Sequence, residues 1–359
     1  VAYELRSEQE QAVAQTFDYF QSHQNGEFLW NAKPRFGKTL ATYDLCKRLK
    51  ESKGKMACNI LIVTNRPAIA NSWYDDFVKF LGTESGFRFV SEVSALKGKP
   101  YVLTRYEYTD NLSSSGLASC IEFVSLQDLK GSLYFGGQYD KLKELVQMQW
   151  ELLVIDEAHE GVDTSKTDVA FHQIKRNHTL HLSGTPFKAL ANDKFPADAI
   201  YNWTYADEQK AKRDWSDVEH NNPYENLPQL NLFTYQMSEI IRDQLQQGVE
   251  IEGETEEYAF DLNLFFSTKA NGSFVYESSV DRFLNALTTQ EKFPFSTPEL
   301  RAELCHTFWL LDRVDSAKAL AKKLKAHPVF KDYEIILAAG DGRLSEEDEA
   351  KKAYDQVRD

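Results

Sequence analysis

Apolar residues in the first 205 positions fall into short runs separated by stretches with helical period. Five runs have the length and composition of buried strands: Phe28–Trp30, Asn59–Val63, Ile121–Val124, Leu152–Ile155 and Thr179–Leu182. After the first run, Leu40, Ala41, Leu45, Cys46 and Leu49 recur on one helical face and predict a helix over Leu40–Leu49. Strands alternating with helices place this region in the α/β class, with a mainly parallel sheet covered on both faces. Asn111–Gly116, which holds three serines, reads as a flexible loop.

Beyond residue 205 the pattern changes. Residues 206–300 hold 7 basic and 18 acidic residues, among them the acidic run 250–257. This region reads as a linker and accessory insertion with a helix near Met237–Gln246, its acidic run a solvated surface. From 301 the α/β pattern resumes. His306–Leu311 and Tyr333–Ala338 read as strands, and between them Val314, Ala317, Leu320, Ala321 and Leu324 line one face of a helix. Ser345 and Asp348 resemble a capping box before a last helix. The expected domains are therefore 1–205, 206–300 and 301–359.

Composition narrows the classes. The chain has 359 residues, 42% hydrophobic and 27% charged, enough for a large core without disulfide or metal support. The net charge of −14 speaks against a surface coated in cations for nucleic acid. However, the 206–300 region alone carries −11 of it, with about −2 in 1–205 and −1 in the remainder, so a local basic groove stays open. No apolar run reaches membrane-spanning length. The 4 cysteines are scattered without a CxxC pair, which suits a reducing cytoplasm. A Val at position 1, no signal-peptide pattern, and a last residue inside a charged helical pattern read as a segment cut from a longer protein.

Three motifs carry chemistry. Ala32-Lys33-Pro34-Arg35-Phe36-Gly37-Lys38-Thr39 fits the phosphate-cradling G-x-x-x-x-G-K-[ST] loop, with Ala at the first glycine. It follows a strand and opens a helix, so backbone N–H groups and the helix dipole favour a phosphate there. Lys38 would reach the β- and γ-phosphates and Thr39 would place its hydroxyl on Mg2+. Asp156-Glu157-Ala158-His159 ends an apolar strand. Asp156 suits Mg2+, and Glu157 suits a base for an attacking water. Ser183-Gly184-Thr185-Pro186 follows the next apolar run. Each alone is compatible with an ordinary turn; their order along one chain is far more specific.

That order resembles the first motor domain of superfamily-2 helicases and translocases. The resemblance implies a RecA-like P-loop domain that uses ATP and Mg2+ to move on nucleic acid. Gln9 resembles the Q-motif glutamine that reads adenine, with Arg6 beside it. Gly37, Lys38 and Thr39 match motif I, and Asp156-Glu157-Ala158-His159 match motif II in its DEAH form. Ser183 and Thr185 match motif III, which with His159 would couple the ATP site to movement. Thr64, Asn65 and Arg66 sit where motif Ia touches the nucleic-acid backbone. Ser125 and Gln127 fall in the neighbouring motif Ic. From 306 the pattern resembles the opening of a second RecA-like domain, with motifs V and VI and their arginine finger expected beyond 359. A fragment without them is expected to hydrolyse ATP weakly or not at all.

The stretch from Asn222 to Pro228 resembles helicase-like subunits of bacterial restriction-modification enzymes. The substrate that this likeness implies is double-stranded DNA, with a nuclease or methyltransferase as a fused domain or partner, although neither motif lies in these residues. An RNA helicase or remodeller and a nucleotide-gated clamp without sustained turnover are the alternatives. Arg35 stands where most relatives carry glycine, and no role is assigned to it beyond membership of the ATP loop. Trp73, Tyr74 and Phe77 read as core, Trp203 and Tyr205 as packing, and His178 and His181 as ordinary histidines rather than zinc ligands. Glu107 and Asp110 have no partner legible in the sequence.

Overall fold

The computed structural model describes residues 3–65, 69–115, 119–156, 170–184, 195–217, 219–228, 262–291, 293–304 and 306–338, with the backbone alone for 111–115 and 262. The chain forms two compact units, Val1–Gln229 and Leu230–Asp359.

The first unit is built on one sheet. Its strands are β1 (Glu27–Ala32), β2 (Ile60–Thr64), β3 (Phe87–Ser91), β4 (Val102–Leu103), β5 (Ser119–Ser125), β6 (Trp150–Asp156), β7 (Arg176–Ser183) and β8 (Ile200–Trp203). They run in the order β4-β3-β5-β2-β6-β7-β1-β8, and every pairing is parallel. The five strands expected from the sequence correspond to β1, β2, β5, β6 and β7; β2 is shifted one residue onward from the expected Asn59–Val63, and the other four are longer than expected at both ends. The three missed strands, β3, β4 and β8, lie at or near the sheet edges. The helices are α1 (Ser7–Ser22), α2 (Lys38–Lys53), α3 (Ala70–Asp76), α4 (Arg105–Ser115), α5 (Leu126–Gly131), α6 (Lys143–Gln147) and α7 (Tyr205–Arg213).

Two cores flank the sheet because side chains alternate along each strand. Ile60, Ile62, Phe89, Phe123, Leu152 and Val154 face a cluster with Ala12, Val13 and Phe20 of α1 and Tyr43, Leu45 and Leu49 of α2. Leu61, Val63, Val124, Leu153 and Ile155 face the other way, toward Tyr108, Leu129, Phe135 and Leu145. Both faces of β2, β5 and β6 are thus covered, and each strand is buried along its length. This accounts for continuous apolar runs rather than alternation in the sequence.

Two expectations fail here. Asn111–Ser115 is not a loop but the end of α4. The helix is started by Thr104 and Glu107: the Glu107 carboxylate accepts the Thr104 backbone N–H at 2.7 Å, and the Thr104 hydroxyl accepts the Glu107 N–H at 3.2 Å. This reciprocal cap outweighs the weak helix propensity of the serines. In the second unit, 306–311 and 333–338 belong to no sheet among the described residues. A strand needs a hydrogen-bonded neighbour, and no described residue supplies one. Trp309 and Leu311 pack on the Phe295–Phe330 core, whereas Phe308 and Leu310 are 86% and 73% exposed. Exposure alternates over 308–311, although among the described residues the segment has no pairing partner. The helix expected through Val314 to Leu324 spans Val314–Ala326. Those expected at 237–246 and after 345 lie outside the described residues.

One polar pair interrupts the second core of the first unit. Glu122, in the middle of β5, forms an ion pair with Arg105 at the start of α4, and both are buried. Burial pulls the Arg105 guanidinium below its ordinary pKa, against the opposing fields of Cys120, Glu144 and Glu92. Removing one member leaves the other charge unpaired. Glu122→Leu is therefore expected to cost about 3–5 kcal/mol. The double substitution Glu122→Leu with Arg105→Met should recover most of that loss, as read from urea unfolding midpoints.

Candidate nucleotide and nucleic-acid site

Because every strand is parallel, all the carboxyl ends meet at one edge of the sheet. Thr64 is opposite both Ser125 and Asp156, and Asn31 is opposite Ser183. The end of β6 thus lies between those of β2 and β7, and β7 lies beside β1 with the loop that follows it.

That loop, 33–37, joins β1 to α2. Gly37 caps α2 with φ 83°, and a Cβ at this position would lie 2.4 Å from Gln9 Nε2. Both the turn and the contact require glycine. Arg35 also has positive φ, at 70°. No role beyond the loop was legible for this residue in the sequence; its backbone explains why glycine would fit there. Lys38 opens α2, and its Nζ donates to the Ala32 carbonyl at 2.8 Å. A Cβ on Gly184 would lie 3.6 Å from the same Nζ. The third motif is therefore in contact range of the first. Thr39 is half-buried in the first turn of α2.

The loop is held from α1. Gln9 Nε2 donates to the Phe36 carbonyl at 2.8 Å, while its Oε1 accepts the Arg6 N–H at 2.8 Å. Arg6 Nη2 donates to the carbonyls of Phe36 at 2.7 Å and Arg35 at 3.3 Å. Arg6 Nε is paired at 2.6 Å with Glu8, which is 1% exposed. The other Glu8 oxygen accepts the Tyr224 hydroxyl at 2.5 Å. Burial is the first cause that raises the Tyr224 hydroxyl pKa, followed by this hydrogen bond. Lys33 Nζ lies 2.7 Å from both carboxylate oxygens of Glu208 on α7. The chain after residue 205 thus packs back on the 33–37 loop and on the residues that hold it. Sequence reasoning missed Glu8, Glu208 and Tyr224 as supports; the i+2 spacing of Arg6 and Glu8 was their faint signal.

Asp156, 7% exposed, accepts the Trp73 indole N–H at 2.8 Å through Oδ2. Trp73 is core, as expected, but its polar edge is used. Tyr74 and Phe77 are buried with it. The other expected residues divide. Thr64 and Ser125 are buried, and Ser125 caps α5, accepting the Asp128 N–H at 3.0 Å and donating to Asp128 Oδ2 at 2.7 Å. Asn65 is half-buried and Gln127 exposed. Arg66, Glu157, His159 and Thr185 lie outside the described residues. His178 stacks on Phe20 with ring centroids 4.4 Å apart, and His181 sits 3.0 Å from Glu27. Among the described residues, no cluster of three or more His, Cys, Asp or Glu side chains could hold a metal.

Two outcomes are expected. A left-handed non-glycine residue costs about 1 kcal/mol or more. Arg35→Gly should raise the unfolding midpoint of the nucleotide-free protein, whereas Arg35→Ala, which keeps the strained φ, should not. Burial lowers the His178 pKa below its ordinary 6.5, ahead of the opposing Glu151 field. The unfolded chain then binds the proton more readily, so stability falls as pH drops below that value and levels off below the folded pKa. Urea titrations between about pH 5 and 7 should show a shallower pH slope in His178→Gln.

Residues 2–188 match the family described as type III restriction enzyme, res subunit. A curated Mycoplasma pneumoniae protein, described as a putative type II restriction enzyme and methyltransferase RM.MpnORF110P C-terminus, is 25% identical over 391 residues. The match takes in 93% of this chain and 52% of that protein; the chain thus spans about half of its relative. Two solved structures show weaker likeness. The Sulfolobus solfataricus SWI2/SNF2 ATPase core in complex with dsDNA is 16% identical, over 54% of this chain and 35% of that one, with TM-score 0.37. A nuclease-deletion mutant of the Type ISP restriction-modification enzyme LlaGI, in complex with a DNA substrate mimic, is 14% identical, over 99% and 29%, with TM-score 0.44. With a family match over more than half its length, this chain belongs to the type III restriction enzyme res-subunit family.

Proposed function

We propose that this chain is the ATP-driven motor part of a restriction-modification enzyme and that it moves along duplex DNA. The observation that carries the reading is the closeness of the loop lysine to the third motif, where a side chain on Gly184 would meet its Nζ, beside the strand that delivers Asp156. The family assignment supports the choice of a helicase-like motor. DNA as substrate rests on the names of the relatives.

The residues present fit a nucleoside triphosphate. The 16-residue helix α2 begins at Lys38 with a left-handed glycine before it and no side-chain cap, so its first-turn N–H groups are those that would meet a phosphate. Lys38 Nζ, which donates to the Ala32 carbonyl, would reach the phosphate oxygens. Thr39 and Asp156 are the residues that would hold Mg2+, which when bound offsets phosphate charge. Glu157 would take the proton of the attacking water. Gln9 and Arg6 hold the loop, and Gln9 would read adenine; Arg35 and Gly37 shape the loop. His159, Ser183 and Thr185 would relay the state of the phosphates. Of the residues expected to meet nucleic acid, Asn65, Arg66 and Gln127 are proposed as direct contacts, with Thr64 and Ser125 shaping the strand ends.

The test uses the intact protein. Duplex DNA should stimulate ATP hydrolysis, and Lys38→Ala should lower the stimulated rate by about 100-fold or more. Equal hydrolysis after that substitution would sink the assignment of the loop. Stimulation by RNA instead of duplex DNA would overturn the substrate, and ATP and DNA binding without turnover would establish a clamp.

A further inference from the structure

We propose that Trp73 is a positioning residue for Asp156, fixing the carboxylate that the proposed function assigns to Mg2+. The inference rests on that assignment. A carboxylate at a strand end rotates freely unless a donor holds it, and an indole N–H has one direction in which to donate. Trp73 Nε1 lies 2.8 Å from Asp156 Oδ2, and both residues are buried. The bond holds Oδ2 and so restricts the rotation of the carboxylate.

The indole is itself held. The Tyr43 hydroxyl donates to the Trp73 carbonyl at 2.6 Å, and the two rings meet edge to face, with centroids 5.5 Å apart at 89°. Tyr43 belongs to α2, the helix that the phosphate loop opens. Phe77, one turn after Trp73, packs on Tyr43 at 6.2 Å, and there α3 passes into the π-helical turn Phe77–Leu81. Trp73 is thus tied to the phosphate-loop helix through its backbone and to the strand-end carboxylate through its side chain. Because it rides on α3, which follows Thr64 and Asn65, displacement of that helix changes the carboxylate that faces the nucleotide. The sequence offered no sign of this, since the two residues are 83 positions apart.

Trp73→Phe keeps an aromatic ring and removes the donor. Partners that orient metal ligands are worth about 10–100-fold in metal affinity or activity. In the intact protein, the Mg2+ concentration for half-maximal ATP hydrolysis should rise about 10-fold in Trp73→Phe. Binding of a fluorescent ATP analogue in EDTA should stay unchanged, because Lys38 and the loop are intact. Tyr43→Phe, which keeps the ring and loses only the hydroxyl, should move the Mg2+ dependence the same way by a smaller factor. It also serves if Trp73→Phe fails to fold. Wild-type Mg2+ dependence in Trp73→Phe, or in a folded Tyr43→Phe where Trp73→Phe does not fold, overturns the proposal. So does loss of analogue binding in EDTA with unchanged Mg2+ dependence. Failure of the underlying reading looks different: the unsubstituted protein then shows no Mg2+-dependent hydrolysis.

Discussion

A parallel sheet has a direction, and in this protein that direction decides where the chemistry sits. With all strands pointing one way, each β-to-helix crossing starts at the same edge. Residues as distant as Ala32, Thr64, Ser125, Asp156 and Ser183 become neighbours without any need for proximity in sequence. The buried central strands make the edge rigid, because each is packed on both faces. The first helix turn after β1 supplies the unpaired N–H groups that make this end of the sheet suited to anions.

The edge alone would leave the loop after β1 loose. What holds it is a chain of polar contacts that begins at its carbonyls, passes through Gln9, Arg6 and Glu8, and ends at Tyr224. Each group in this chain has a partner, so a buried carboxylate such as Glu8 does not cost what an isolated charge would. The clamp also explains how Arg35 is kept at φ 70°. Backbone strain persists where neighbours over-determine the conformation, and two bonds from Arg6 fall on this turn. A loop held in one shape before its ligand arrives loses less entropy on binding.

Local motifs and strand runs were legible in the sequence because their physics is local. The β1 loop needs glycine and lysine at fixed spacing, and five apolar runs had nowhere to go but a sheet interior. The expected α/β class with a mainly parallel sheet is what the fold shows. Contacts between distant segments were not legible. Glu8 with Tyr224 and Trp73 with Asp156 are fixed only when helices dock on the sheet. Glu107 looked partnerless until its cap on Thr104 appeared, and the serines of 111–115 gave a loop signal that this cap overrode. In the second unit 306–311 and 333–338 were expected as strands, yet neither pairs with any described residue, and Phe308 and Leu310 are exposed.

The charge distribution gains a sharper meaning beside the structure. Several cations of the first unit are already committed to carboxylates: Lys33 to Glu208, Arg48 to Asp44 and Glu10, Lys53 to Glu151, and Arg105 to Glu122. These pairs stabilise the fold and its loop; they do not form a phosphate-binding stripe. At the sheet edge, the described residues proposed for nucleic acid, Asn65 and Gln127, are neutral donors. Such groups fix position and register on a backbone, and they contribute little to the counterion release that drives non-specific affinity. For the motor proposed above, contacts of this kind would favour movement: uniform attraction would hold it in place, whereas oriented contacts at the strand ends, with Arg66 as the one cation among those proposed, could be made and broken with the edge that presents them.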